Sequence, residues 1–278
     1  MTSPPAFVVL GGAGRVGGHL LPLLASSTGV LVTLSRRPRS TDRVTWLTAD
    51  LTVRPSALQA VADLVGHATH VTVVDLVLDR GSVTAMRRSI AASTAFSIAL
   101  HRRLGRTGTA SRLVVAGTTA ALAPYGLRTP YGIAKHHQGR RYSREHPLDL
   151  VLLPQLSAGG ERTFAQAARA LADVIATSPA ARRLWVLRPP AAPAVPRVSP
   201  TRLPQALAMS VAARTTHRSD PGAFRRASHA WLDQLPQPAR VRLDHHHAPP
   251  LLLWRFARCL GLPPALPLTT EDDGHGSF

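Results

Sequence analysis

Over the first 155 residues, short apolar runs rich in β-branched residues alternate with longer stretches whose apolar positions recur at helical spacing. The runs predict strands at 7–10, 30–34, 44–47, 71–77, 113–116 and 148–153. The stretches between them predict helices at 16–25, 56–64, 83–104 and 131–144. Strands that read as continuous apolar segments are buried on both faces, which predicts a doubly wound parallel α/β sheet with helices on each side. Beyond Pro154 the pattern changes. Helical segments near 163–176, 202–213, 223–235 and 251–260 surround one short strand at 184–187 and a proline-rich connector at 189–200. The chain therefore divides into a sheet domain at 1–160, a smaller and mostly helical region at 161–268 that faces substrate, and a polar tail at 269–278 that frays.

The first strand runs straight into glycines. FVVLGGAGRVGG places Gly11, Gly14 and Gly17 three apart at the strand-to-helix turn, with Arg15 and Val16 opening the helix. Glycine lets the backbone bend there and approach a pyrophosphate, whose charge meets the N–H groups of the helix N-terminus. The same letters satisfy GxGxxG through Gly12, Gly14 and Gly17. This context, strand then turn then helix, predicts dinucleotide binding. The second strand then ends Leu34-Ser35-Arg36-Arg37, with no carboxylate to accept from a ribose hydroxyl. A carboxylate would repel a 2′-phosphate, whereas a guanidinium can bond it twice, so NADP(H) is expected over NAD(H). After the third strand, Asp50 of Asp50-Leu51 either accepts from the adenine amino group or caps the following helix.

Charge adds one further signal. Of 33 basic side chains 32 are arginine, and Lys135 is the only lysine. It lies one helical turn after Tyr131 in TPYGIAKHHQGRRY. An ammonium beside a phenol stabilises the phenolate and brings a group that titrates near 10 within reach of acid–base work. A guanidinium stays protonated and bonds in a fixed fork, so arginine is no substitute.

Together these residues resemble the short-chain dehydrogenase/reductase superfamily, in its extended or atypical branch that includes NAD-dependent epimerases and dehydratases. The resemblance covers residues 6 to about 160. It implies that Tyr131 is the proton donor and that Lys135 tunes it and holds the cofactor ribose. It places Thr118 at the family's catalytic serine position, with Thr119 the neighbouring alternative. Asp50-Leu51 match its adenine-side pair, and Pro154 and Gly159 its segment near the nicotinamide. Three positions depart from the pattern. Ser89-Ile90 replace a relay asparagine, Asp75-Leu76-Val77 replace an alanine-rich turn, and Leu153 replaces an arginine. The resemblance further implies a homodimer through the helices at 83–104 and 131–144.

The remaining composition narrows the alternatives. The single Cys259 excludes an intrachain disulfide framework, fits a reducing cytoplasm and reads as a buried thiol. No charged leader precedes the first apolar run, and no run approaches the roughly 20 residues of a spanning helix, so a cytoplasmic protein without a membrane partner is expected. The formal charge is +18, but the arginines are scattered as pairs and aromatics are only 5%, so no specific nucleic-acid partner is expected. Consecutive His245, His246 and His247 cannot all face one ion from a regular element, and no metal is expected. His136 and His137, beside Lys135, read as helix-surface residues, with the approach of one of them to the active site as the alternative. No GxSxG elbow supports hydrolase chemistry around Ser157. The expected function is NADPH-dependent reduction of a carbonyl or related group on a small molecule, in a biosynthetic setting. The alternatives are a redox-neutral epimerase, dehydratase or isomerase, and a non-catalytic NADP-binding protein.

Overall fold

A computed structural model describes residues 5–26, 29–37, 43–51, 57–79, 81–122, 130–154, 156, 160–177, 182–187, 257–262 and 266–268. The predicted helices at 202–213 and 223–235, the connector, the tail, Ser157, Gly159 and the three consecutive histidines lie outside them.

The strands are β1 Ala6–Leu10, β2 Val30–Ser35, β3 Thr45–Thr48, β4 His70–Asp75, β5 Ala110–Thr118, β6 Leu148–Leu153, β7 Arg182–Leu187 and β8 Leu266–Leu268. The helices are α1 Arg15–Ala25, α2 Ala57–Val65, α3 Val83–Arg106, α4 Pro130–Tyr142 and α5 Gly160–Ala176. All strands pair in parallel in one sheet, ordered β3-β2-β1-β4-β5-β6-β7-β8. The order reverses between β1 and β4, the switch point at which doubly wound sheets open a crevice for ligands. Every residue of β1 and β6 is buried, as continuous apolar strands require when helices cover both faces.

One apolar layer joins α1 and α5 to the sheet through Leu20, Leu21, Leu24, Ala167, Leu171 and Val174. The opposite layer brings in α2, α3 and α4 through Val61, Val65, Phe96, Leu100, Leu104 and Tyr142. Helix α3 starts where Ser82 accepts a hydrogen bond from the Ala85 N–H at 3.0 Å, a side-chain N-cap. Helix α4 is unusual because its buried side chains include Lys135, His136, Gln138 and Tyr142. Residues of that kind on an inner face must be paired, and their partners locate the site.

The sheet does not end with its sixth strand. β7 starts at Arg182, two residues before the predicted strand, and β8 follows it, so the division at residue 160 falls within a single continuous sheet. β8 escapes prediction because it is three residues long and holds Pro267, which lacks the N–H a central strand needs. Cys259 is exposed rather than buried. The short helical turn at 257–260 points Ala257 and Leu260 inward, three residues apart, and leaves the thiol on the outer side.

Candidate active site

The glycine turn is built as a phosphate cradle needs. Gly11 has φ +82°, and a Cβ on it would stand 3.2 Å from the backbone of Leu76 and Val77, so the turn packs directly on the chain leaving β4. A Cβ on Gly17 would meet the Gly12 backbone at 2.5 to 2.7 Å, which only glycine allows. Gly14 is the N-cap of α1 and no side chain caps that end. It is exposed, and the only atom within 4 Å of a Cβ there would be Gly11 O, at 3.1 Å. An uncapped helix start over an open glycine fits a pyrophosphate. Arg15 turns its guanidinium over the Phe164 ring of α5, 5.2 Å from the centroid, and half-buried Val16 packs into the core. Of these two residues, it is the backbone that is placed to meet a phosphate.

At the end of β2 the structure adds a carboxylate that the sequence order conceals. Arg36, exposed at the end of β2, pairs with Asp79 from the loop after β4 at 2.8 Å. Asp79 is held below the usual carboxylate range, first by the Gly81 N–H and also by Arg36, while the Asp50 carboxylate opposes this. Asp50 thus stands nearby, beside half-buried Leu51. Ser35 and Arg37 close a small turn in which the Arg37 N–H donates to Ser35 Oγ at 3.2 Å. The Arg37 side chain is exposed. Ser89 accepts from the Asp79 N–H at 3.2 Å, so the residue standing where a relay asparagine is common secures this loop instead.

On the other side of the crevice, β5 delivers buried Thr118 at its last position, and the 3₁₀ turn Thr119–Leu122 that follows packs against α4. Tyr131 occupies the first turn of α4 and is partly exposed. Lys135 is 5% exposed and donates to Ala116 O of β5 at 2.9 Å. One helical turn, about 5.4 Å, separates Lys135 from Tyr131, and two strand residues, about 6.6 Å, separate Ala116 from Thr118. Tyr131 and Thr118 therefore both lie toward the C-terminal ends of the strands from the Lys135–Ala116 contact. Pro154, partly exposed, follows β6, which pairs with β5 through Leu153 and Thr118.

Lys135 does not lie alone. Burial pulls its pKa down from 10.5 and the Asp75 carboxylate opposes that, leaving it at about 8. Asp75, 1% exposed, ends β4 in register with Leu10 of β1 and Val115 of β5. Its Oδ2 lies 3.0 Å from Ser93 Oγ and accepts from Gln138 Nε2 at 2.9 Å and from Tyr142 OH at 2.7 Å. Its Oδ1 accepts from the Val77 N–H at 3.1 Å. Burial first, and Asp75 next, push the Tyr142 hydroxyl well above 10, so this phenol remains a fixed donor. Gln138 and Tyr142 escape a motif search but follow Lys135 by three and seven residues, one face of a helix. An aspartate closing an otherwise apolar strand was the other visible signal. His136 is buried, not a surface residue, and His137 is exposed.

A cleft of about 450 Å³ opens between α3 and α4, lined by Arg87, Arg88, Thr94, His137, Gln138 and Arg141 among others. Neither Tyr131 nor Lys135 lines it. No group of three or more metal-ligating side chains occurs among the described residues, and no helix among them is long and apolar enough to cross a membrane.

A doubly wound parallel sheet with a glycine turn at its switch point defines a dinucleotide-binding protein of the extended short-chain dehydrogenase/reductase type. Over residues 7–177, more than half of the 278-residue chain, the sequence matches the NAD dependent epimerase/dehydratase family, and the chain belongs to that family. No curated protein matches it. Among solved structures, it is similar to a UDP-glucose 4-epimerase of Thermotoga maritima (14% identity, 64% of this chain and 76% of that one, TM-score 0.47). It is also similar to a dTDP-glucose 4,6-dehydratase of Streptomyces venezuelae (13%, 65% and 74%, TM-score 0.48) and a uronate dehydrogenase of Agrobacterium tumefaciens (15%, 65% and 76%, TM-score 0.45).

Proposed function

We propose that the protein is an NADPH-dependent reductase of a carbonyl or related unsaturated group on a small molecule. The observation that supports this reading is the end of β2, which carries Ser35, Arg36 and Arg37 and no acid of its own. The nicotinamide, when bound, supplies hydride to the electrophilic carbon. Tyr131 donates a proton to the oxygen, so that a C=O bond becomes H–C–O–H. The Lys135 ammonium stabilises the resulting phenolate, and Thr118 orients the oxygen before transfer. Arg36 already holds Asp79, so a 2′-phosphate must compete with that carboxylate.

Titration with NADPH and NADH tests the cofactor, and NADPH consumption with a panel of ketones and aldehydes tests the reaction. Arg37→Ala is expected to weaken NADPH binding about tenfold or more, the loss of a charge-assisted hydrogen bond worth about 1.5–3 kcal/mol. Asp79→Ala, which releases Arg36, is expected to strengthen it. Tighter binding of NADH by the unmodified protein would overturn the reading. The family's description favours a second one, a redox-neutral epimerase or dehydratase. That reading requires cofactor retained through purification and no net consumption of NADPH.

A further inference from the structure

We propose that Asp75 is the internal counter-ion of Lys135: buried at the end of β4 and gathered by donors from α3 and α4, it keeps the ammonium charged in the floor of the site beneath Tyr131. As a positioning residue for catalysis it rests on the reductase reading above. As a counter-ion it does not.

The argument starts from the cost of putting a carboxylate there. A carboxylate on a central strand covered on both faces is strongly disfavoured unless its oxygens are satisfied and its charge is answered. The oxygens are satisfied by Val77, Ser93, Gln138 and Tyr142, from the loop after β4, from α3 and from α4. All four donors are neutral, so none of them answers the charge. The cation nearest in the fold is Lys135: it shares the inner face of α4 with Gln138 and Tyr142, which both bind Asp75, and the Ala116 carbonyl it holds is the residue after Val115, the β5 partner of Asp75.

The reciprocal need is as clear. Lys135 is buried and donates to the Ala116 carbonyl. Burial without a counter-charge would favour the neutral amine, which stabilises no phenolate. β5 contributes the Ala116 carbonyl to this surrounding, and α3 contributes Ser93 and Thr94. The other titratable groups on α4 itself are Tyr131, His136, His137, Tyr142 and the exposed Arg140 and Arg141. Asp75 is the charged group that opposes the effect of burial on Lys135. An aspartate at this strand end, which looks like a departure from the family's small turn, is thus matched to a lysine buried more deeply than acid–base tuning alone demands.

Because Lys135 is the chain's only lysine, the test needs neither substrate nor cofactor. Protein grown on lysine labelled with ¹³C at the ε carbon gives one side-chain resonance, whose shift with pH reports the titration directly. The unmodified protein is expected to show a midpoint at about 8. Asp75→Asn is expected to lower it by more than one pH unit, while Asp149→Asn, at a buried carboxylate elsewhere, leaves it in place. An unchanged midpoint in folded Asp75→Asn overturns the proposal. Should that variant fail to fold, Tyr142→Phe decides. It strips one hydroxyl from the carboxylate and concentrates its charge, so the lysine midpoint rises, and a stationary midpoint overturns the proposal. With NADPH and a turned-over ketone, the pH profile of kcat in Asp75→Asn is expected to move to lower pH in step with the resonance, a displacement that general loosening of the fold would not produce. If no nicotinamide binds at all, the reductase reading fails while the resonance still decides the counter-ion role.

Discussion

Two carboxylates are buried in this sheet, and they are neutralised in opposite ways. Asp149, wholly buried on β6, meets two guanidinium groups and an indole. Arg112 approaches it at 2.9 Å, Arg183 at 2.6 Å, and Trp185 Nε1 donates at 2.7 Å. Arg112 is itself 1% exposed and donates to Ile175 O at 3.1 Å and Thr177 O at 2.7 Å, where a cation complements the C-terminal end of α5. Asp75, one strand beyond β5 in the other direction, meets neutral donors and a lysine that touches it through the field only. A guanidinium starts so high that burial lowers its pKa without discharging it at any working pH. A lysine at about 8 sits at the edge of titration. The first arrangement fastens α5 to the sheet. The second keeps a proton available, and the difference separates a structural ion pair from one placed to serve chemistry.

The comparison can be broken at three points. The largest effect is expected from Asp149→Ala, which leaves Arg112 buried and uncompensated. A loss of about 3–5 kcal/mol, measured by urea unfolding, is the ordinary cost of removing one partner from a buried pair. The next concerns pH. Lys135 falls from 10.5 unfolded to about 8 folded, so between those values the unfolded chain binds more protons and stability rises with pH. At about 1.4 kcal/mol per unit, the unfolding free energy of the unmodified protein relative to Lys135→Met should rise by about 3 kcal/mol from pH 7 to above 10. Tyr142, whose raised pKa works in the reverse direction above 10, is common to both proteins and cancels. No such drift should separate the unmodified protein from Arg112→Met over the same range. The smallest effect is expected from Arg102→Ala. Its guanidinium is 64% exposed, so loss of the 2.6 Å pair with Glu145 should barely move the midpoint of thermal or urea unfolding.

Much of the architecture was legible because parallel strands buried on both faces write themselves as unbroken apolar runs. The predicted bounds of the first six strands and of α1 to α4 fall within a few residues of the structure for the same reason. The glycine turn was legible too, since its constraint is local. What lay hidden depends on partners distant in sequence. Arg36 and Asp79 are joined by the crossing of two loops, and Asp75 meets Tyr142 across 67 positions. The aspartate that closes an apolar strand marks one end of that meeting, but nothing in the sequence names its partner. β8 was missed because a three-residue edge segment with proline carries no alternation to detect. The buried polar face of α4 was legible only in part, because a pattern that searches for apolar stripes passes over a stripe made of Lys135, Gln138 and Tyr142.

The outermost pairing has a consequence for biosynthesis of the chain. β8 adds to β7 only after the 78 residues 188–265 between them have been made, which at roughly 5–20 residues per second occupies several seconds on the ribosome. For that interval β7 lacks its β8 partner, and Arg182 and Arg183 stand at its start. Positive charge on an unpaired edge discourages another chain from adding to it, and in the folded sheet Arg182 and Arg183 are engaged inward, by Ser143 O and Asp149.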